Sequence, residues 1–212
     1  MKTWPALLAP ALASMLLSAC VSVGLGGDVP AQAHYLLHDT APPAQRRAEP
    51  LVAALLIQPL PADATADTVS IAYSPRPNEF AHYQFTSWTE RPVRRVPRLL
   101  QQRLEARGLA GAVAMVGEPV RSDWLLTVAI DTLHHDVRVP PGQGRVALTA
   151  ELFDRRSRTR IARRTFEAAV PSASADAPAA AAALSQSLTQ VFDLLLPWLE
   201  AELQRAGTAA PK

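Results

Sequence analysis

Cysteine occurs once in this 212-residue chain, at Cys20, so no intramolecular disulfide can form. Lysine is found only at Lys2 and Lys212, and the remaining basic charge is arginine. No glycine-rich loop of the phosphate-cradling kind is present, and no serine stands in the glycine-flanked turn that exposes a hydrolase nucleophile. Past the N-terminal region, no segment reaches the roughly 18 consecutive uncharged apolar residues that suggest a membrane-spanning helix. Formal net charge is only +2. These absences remove disulfide scaffolds, P-loop enzymes and polytopic membrane proteins from consideration.

What the chain does have begins at its N-terminus. Met1, Lys2 and Thr3 precede an uncharged run from Trp4 to Leu17, followed by Leu17-Ser18-Ala19-Cys20. The run is too short to cross the ~30 Å hydrocarbon core comfortably, and polar, glycine-bearing sequence follows it. It reads as a secretion signal over residues 1–19. A cysteine directly after the small residues marks a lipoprotein signal, in which the sulfur is acylated before cleavage. In an exported domain a single cysteine would otherwise be an unpaired reactive thiol, and acylation at Cys20 consumes it. Each buried acyl methylene contributes about 0.8 kcal/mol, which makes the anchor durable. Val21 stands where aspartate commonly retains such proteins in the inner membrane, so the expected address is the periplasmic face of the outer membrane. Export removes nucleic acid as a partner, whatever the arginines suggest. The covalent lipid on Cys20 is the only non-protein group expected; nothing implies a cofactor or a metal.

Residues 20–33 hold Gly24, Gly26 and Gly27 without periodicity and read as a flexible tether. Beyond it, Tyr35-Leu36-Leu37 predicts a first strand. Leu51 to Ile57 is a continuous apolar run bounded by prolines, the pattern of a strand buried on both faces. Thr68 to Tyr73 and Phe80 to Trp88 supply two more strands. Val96, Leu100 and Leu104 recur at helical spacing, with Arg98, Gln101, Gln102 and Glu105 facing water and Gly108 ending the helix. Pro92 and Pro97 leave its start ambiguous. Strands follow at Val113 to Val116, Trp124 to Leu133, Val146 to Leu152 and Ile161 to Val170. Asp176 is placed to cap a last helix lined by Leu184, Leu188, Val191, Leu195, Trp198 and Leu199, which Pro197 should kink or divide. The expected fold is α+β in a single domain, a mixed or antiparallel sheet with two main helices packed on one face. Residues 206–212 read as a disordered tail.

Candidate sites are few. Trp88, at a strand end before a helix, either anchors a partner or fills the junction of sheet and helix. Arg91, Arg94 and Arg95 lie where positive charge opposes the helix macrodipole by about 0.3 to 1 kcal/mol, so local helix stability does not explain them. An acidic protein surface or a lipid headgroup would. Neighbouring His134 and His135 point to opposite faces of a strand and cannot share one metal ion. Ser172, Ser174 and Asp176 lack the surroundings of a nucleophile, and the chain is not expected to be an enzyme.

His34-Tyr35-Leu36-Leu37, Ile71-Ala72-Tyr73, the segment Tyr83-Gln84-Phe85-Thr86-Ser87-Trp88-Thr89-Glu90-Arg91-Pro92, Leu148-Thr149-Ala150-Glu151-Leu152 and Arg163-Arg164-Thr165-Phe166 together resemble the ABC-type transport auxiliary lipoproteins, the group that includes PqiC-like outer-membrane lipoproteins. The resemblance implies an auxiliary lipoprotein domain over residues 34–205, with an MCE-type protein of an ABC lipid transporter as partner and a docking or conduit role between membranes. It also makes a homo-oligomer plausible. Two other roles stay open: a direct carrier of lipid or lipopolysaccharide holding acyl chains between sheet and helices, and a regulator of an envelope enzyme such as a peptidoglycan synthase.

Overall fold

Among the described residues, eight strands and two helices run in the order β1 (Ala33–Tyr35), β2 (Val52–Pro59), β3 (Ser70–Arg76), β4 (Glu79–Trp88), α1 (Pro92–Arg107), β5 (Ala110–Met115), β6 (Trp124–Asp136), β7 (Gln143–Asp154), β8 (Thr159–Pro171) and α2 (Ala177–Ala209). The computed structural model describes residues 31–42 and 45–209. The expected signal, Cys20 and nearly all of the tether lie outside the described residues.

The long strand β6 organises the sheet. One of its edges pairs antiparallel with β7 from Trp124 to Asp136, and β7 continues antiparallel into β8. Its other edge is shared: β2 runs parallel to it over Leu125 to Val128, and β3 runs parallel to it at His135 and Asp136. Beyond β2 lies β5, and beyond β3 lie β4 and then β1. The sheet is therefore mixed. β2 has a parallel neighbour at each edge, β5 and β6, but the burial on both faces expected from Leu51 to Ile57 is reached only at Leu55, Leu56 and Ile57; Ala53 is exposed and Val52 and Ala54 are half-buried.

Register sorts the side chains by face. Leu126, Val128 and Ile130 on β6 lie opposite Leu152, Ala150 and Leu148 on β7, and Leu148 lies opposite Phe166 on β8. These join Val96, Leu100 and Leu104 of α1 and Leu188, Leu195 and Trp198 of α2 in one buried cluster. Fully burying each such side chain contributes about 1.5 to 3 kcal/mol. The opposite face carries Thr149, hydrogen-bonded to Asp131 and Thr165, and Glu151, paired with Arg160 and Arg163. Gly144 allows α2 its close approach to β7, since a Cβ there would lie 2.5 Å from the Ala183 carbonyl carbon.

Both helix boundaries have local causes. Pro92 takes the first turn of α1, where a missing N–H costs little, so the helix begins before Val96 and carries the buried Pro97 inside it. Gly108, at φ 67°, closes the helix by donating to the Glu105 carbonyl at 3.0 Å. Asp176 caps α2, its Oδ1 accepting the Ala179 N–H at 2.9 Å. Of the kink or division expected at Pro197, division does not occur, and α2 runs through it as one helix. Buried Leu195, Leu196, Trp198 and Leu199 hold the chain on the sheet from both sides of the proline, against a cost of about 3 kcal/mol. Of the tail expected over residues 206–212, residues 206–209 belong to α2, which continues to Ala209, and residues 210–212 lie outside the described residues. By length and composition α2 could cross a membrane, but 67% of its most apolar stretch is buried in the domain.

Candidate interaction surfaces

Trp88 closes β4 with its side chain turned into the core, 2% exposed, between the sheet and α1. Its buried indole N–H has no partner among the described residues. Of the two roles weighed for Trp88, the geometry matches junction filling, since a partner at this surface would meet Thr89 and Arg91 first.

The arginine group that follows is split by the fold. Arg91 precedes α1 and pairs with Asp67 at 3.3 Å, both side chains exposed. Arg95 turns back along the helix and donates from Nε to the Leu37 carbonyl at 3.0 Å, tying α1 to the segment after β1. Arg94 points outward. Together with Arg98 it lines a groove of about 600 Å³ whose other wall is Met115 to Glu118. Neither Arg94 nor Arg98 has an ion pair among the described residues, although Glu105 and Glu118 line the same groove. Gln101, expected to face water, instead donates to the Val113 carbonyl at 3.1 Å and occupies an acceptor on the outer edge of β5.

His134 and His135 point to opposite faces, as their strand requires. His134 meets Phe80 edge to face. His135 is fully buried on the helix-covered face, where Nδ1 lies 2.8 Å from the Tyr83 hydroxyl and Nε2 lies 2.7 Å from Ser172 Oγ. Serine, histidine and a second hydroxyl at these distances suggest nucleophilic catalysis until the protons are placed. Ser172 Oγ also donates to the Pro141 carbonyl at 2.9 Å, which commits its only hydrogen. The imidazole therefore donates from Nε2 to Ser172 and accepts from Tyr83 at Nδ1. This chain satisfies every member and leaves no base aimed at the serine proton. Burial pushes the His135 pKa down, which suits a neutral ring. Burial, with the charge of Asp176 and then Tyr73, pushes the Tyr83 phenol up to about 12.

On the outer face beside this chain, Asp136 accepts from Arg138 at 2.8 and 2.6 Å and lies 3.6 Å from Arg145. Its hydrogen bonds to Arg138 hold the carboxyl well below the usual carboxylate range. Arg103 is the other residue whose importance the sequence did not reveal. It joins three segments, pairing with Asp39 after β1 and with Asp193 on α2 from its own place on α1. An arginine on a polar helix stripe looks solvated in one dimension. Only the fold shows two carboxylates converging on it.

The space between sheet and helices is filled: Leu126, Leu148, Leu188, Val191 and Phe192 are fully buried. A larger groove lies elsewhere, about 1210 Å³ at one end of the sheet, lined by the start of β2, the β5–β6 connection and the arginine-rich β7–β8 turn.

A family model described as ABC-type transport auxiliary lipoprotein component matches residues 35–194. The crystal structure of protein XCC0632 from Xanthomonas campestris is similar, with a TM-score of 0.73 and 27% sequence identity over 83% of this chain and 99% of that one. A crystal structure of an uncharacterized protein shares the fold at a TM-score of 0.62 and 14% identity, over 80% of this chain and 99% of that one. No curated protein matches the chain.

Proposed function

Since the chain belongs to the family of ABC-type transport auxiliary lipoprotein components, we propose that it is anchored through Cys20 to the periplasmic face of the outer membrane and docks an MCE-type ABC lipid transport system there. The observation that carries the docking role is the pair Arg94 and Arg98, two outward guanidiniums in a groove beside α1 with no ion pair among the described residues. Their placement fits an acidic segment of a partner protein. Charge of this kind steers encounter and fixes register more than it adds affinity. The domain acts as an adaptor with no chemistry of its own.

The reading of the protein as a lipid carrier loaded between sheet and helices is disfavoured by the filled core, in which an acyl chain would have to displace fully buried leucines. The experiment that tests docking places a photo-crosslinking residue at Arg94 in cells. Capture of the transporter's MCE protein, lost in an Arg94→Glu/Arg98→Glu background probed from a neighbouring position, is the expected result. Capture unaffected by the charge reversals would remove this surface from the docking role.

A further inference from the structure

The larger groove differs from the Arg94 groove in its floor. Leu56 on β2, Leu125 on β6 and Phe153 on β7 are direct cross-strand partners, so their side chains share one face, the face opposite the helices. Ala54 and Val52, two and four residues before Leu56, extend that apolar strip along β2. The rim is built differently. The β7–β8 turn brings Arg155, Arg156 and Arg158 to one side, and the β5–β6 connection brings Arg121.

Three carboxylates also line the groove, but they are engaged locally. Glu118 accepts the Met115 N–H at 3.2 Å, Asp154 accepts the Arg156 N–H at 2.8 Å, and Asp123 lies 3.8 Å from the Arg156 guanidinium. Arg121 and Arg158 are exposed and have no carboxylate partner among the described residues. Arg158 holds a left-handed backbone at φ 57°, a conformation that costs a non-glycine residue energy.

An extended peptide would be held poorly here. β2 has its hydrogen-bonding edges filled by β5 and β6, and β6 by β2 and β7, so the floor has no free sheet edge for an added strand. Apolar contact below and charge at the rim remain, which is what an acyl chain with an anionic head requires.

We propose that this groove binds a membrane phospholipid of the anionic class, its acyl chain lying along Val52, Leu56, Leu125 and Phe153 and its phosphate meeting Arg121 and Arg158. A docking component needs no lipid site of its own, so the assignment goes beyond the docking role. It places the lipid on an open surface, where a chain can enter sideways without the core opening.

Trp124 lines the groove, whereas Trp88 and Trp198 are buried, so tryptophan quenching reports on it. The full-length lipidated protein, held in a non-ionic detergent, is titrated with phosphatidylglycerol carrying a brominated acyl chain, and in parallel with the matching phosphatidylcholine. Phosphatidylglycerol should quench, Trp124→Phe should lose most of the quenching, and Arg121→Gln/Arg158→Gln should weaken it about tenfold. Both arginines are surface residues, so that variant should fold; Leu125→Glu, which could perturb the sheet, serves as the second variant and should abolish quenching. Equal quenching by the two lipids, or an unchanged arginine variant, would overturn the assignment. So would failure of both lipids to quench while a polyglutamate peptide changes the Trp124 emission, which would give the groove to an acidic segment. Crosslinking from residue 94 is read separately, so loss of the lipid site and loss of the docking role are distinguishable.

Discussion

Nη1 of Arg103 on α1 lies 2.7 and 2.9 Å from the two carboxylate oxygens of Asp39, which stands just beyond β1. Nη2 of the same guanidinium reaches Asp193 on α2. Thr189 on α2 completes the tie by donating to Asp39 Oδ1 at 2.9 Å, and the Thr40 N–H donates to Thr189 Oγ1 at 2.8 Å. The segment following β1 is thus bound to both helices through one cation.

Replacing Arg103 with methionine leaves Asp39 largely buried with its main charge partner gone. The expected loss is about 1 to 3 kcal/mol, below the full penalty for a buried pair because water still reaches one side. Denaturant unfolding of Arg103→Met, Asp39→Asn and the double variant should give a coupling energy well above zero. Additive effects would mean the tie contributes nothing.

Ser172→Ala should cost about 1 to 3 kcal/mol, because it strands the His135 Nε2 donor in the core. A serine-reactive phosphonate should leave Ser172 unlabelled, since its proton is committed to the Pro141 carbonyl. Mass-spectrometric labelling of Ser172 would contradict the proton assignment.

His135 also predicts a pH response. Its folded pKa lies below the ordinary 6.5, so the folded state binds fewer protons than the unfolded one. The associated stability is fully present above 6.5 and is lost as pH falls through the window beneath it. Asp136 acts lower down. With its pKa depressed by Arg138, it contributes stability that is present above 3.8 and lost as pH falls further. Thermal unfolding across pH should show a flatter acid limb for Asp136→Asn than for the wild type; parallel limbs would argue against the Asp136–Arg138 contribution.

Gly144→Ala should be among the most damaging small substitutions. Its Cβ would lie 2.5 Å and 2.6 Å from backbone atoms of Ala183 and Leu184, so α2 must move off β7. A loss of about 1 to 3 kcal/mol, as for overpacking elsewhere, should appear in thermal unfolding. A wild-type melting temperature would show that the helix shifts at no cost.

Intact-mass measurement of the protein from membranes should give a chain beginning at Cys20 with diacylglycerol on its sulfur. Cys20→Ser should stay unprocessed and carry no lipid. A mature chain starting elsewhere would remove the anchor and the proposed address together.

Much of the fold was legible because its signals are local. The apolar run at Leu51 to Ile57, the alternation at Trp124 to Ile130, Gly108 after a helical stripe and Asp176 before one each report a nearby physical requirement. The continuity of α2 through Pro197 was not legible, since the packing of Leu195, Leu196, Trp198 and Leu199 against the sheet outweighs propensity there. The arginine group at 91, 94 and 95 was visible as an electrostatic oddity. Its partition into one ion-paired, one outward and one backbone-bound side chain depends on Asp67 and Leu37, which are distant in sequence.

Composition and periodicity by themselves determined the alternation of elements and the apolar character of β2, because each depends on neighbours along the chain. Tertiary structure alone decided that His135 and Ser172 form a closed hydrogen-bond chain, that Arg103 joins three segments, and that Leu56, Leu125 and Phe153 form one apolar strip beneath arginines. Those relations arise from the pairing of strands with β6 and the packing of helices on the sheet, and linear spacing does not encode the distance between residues that only folding brings together.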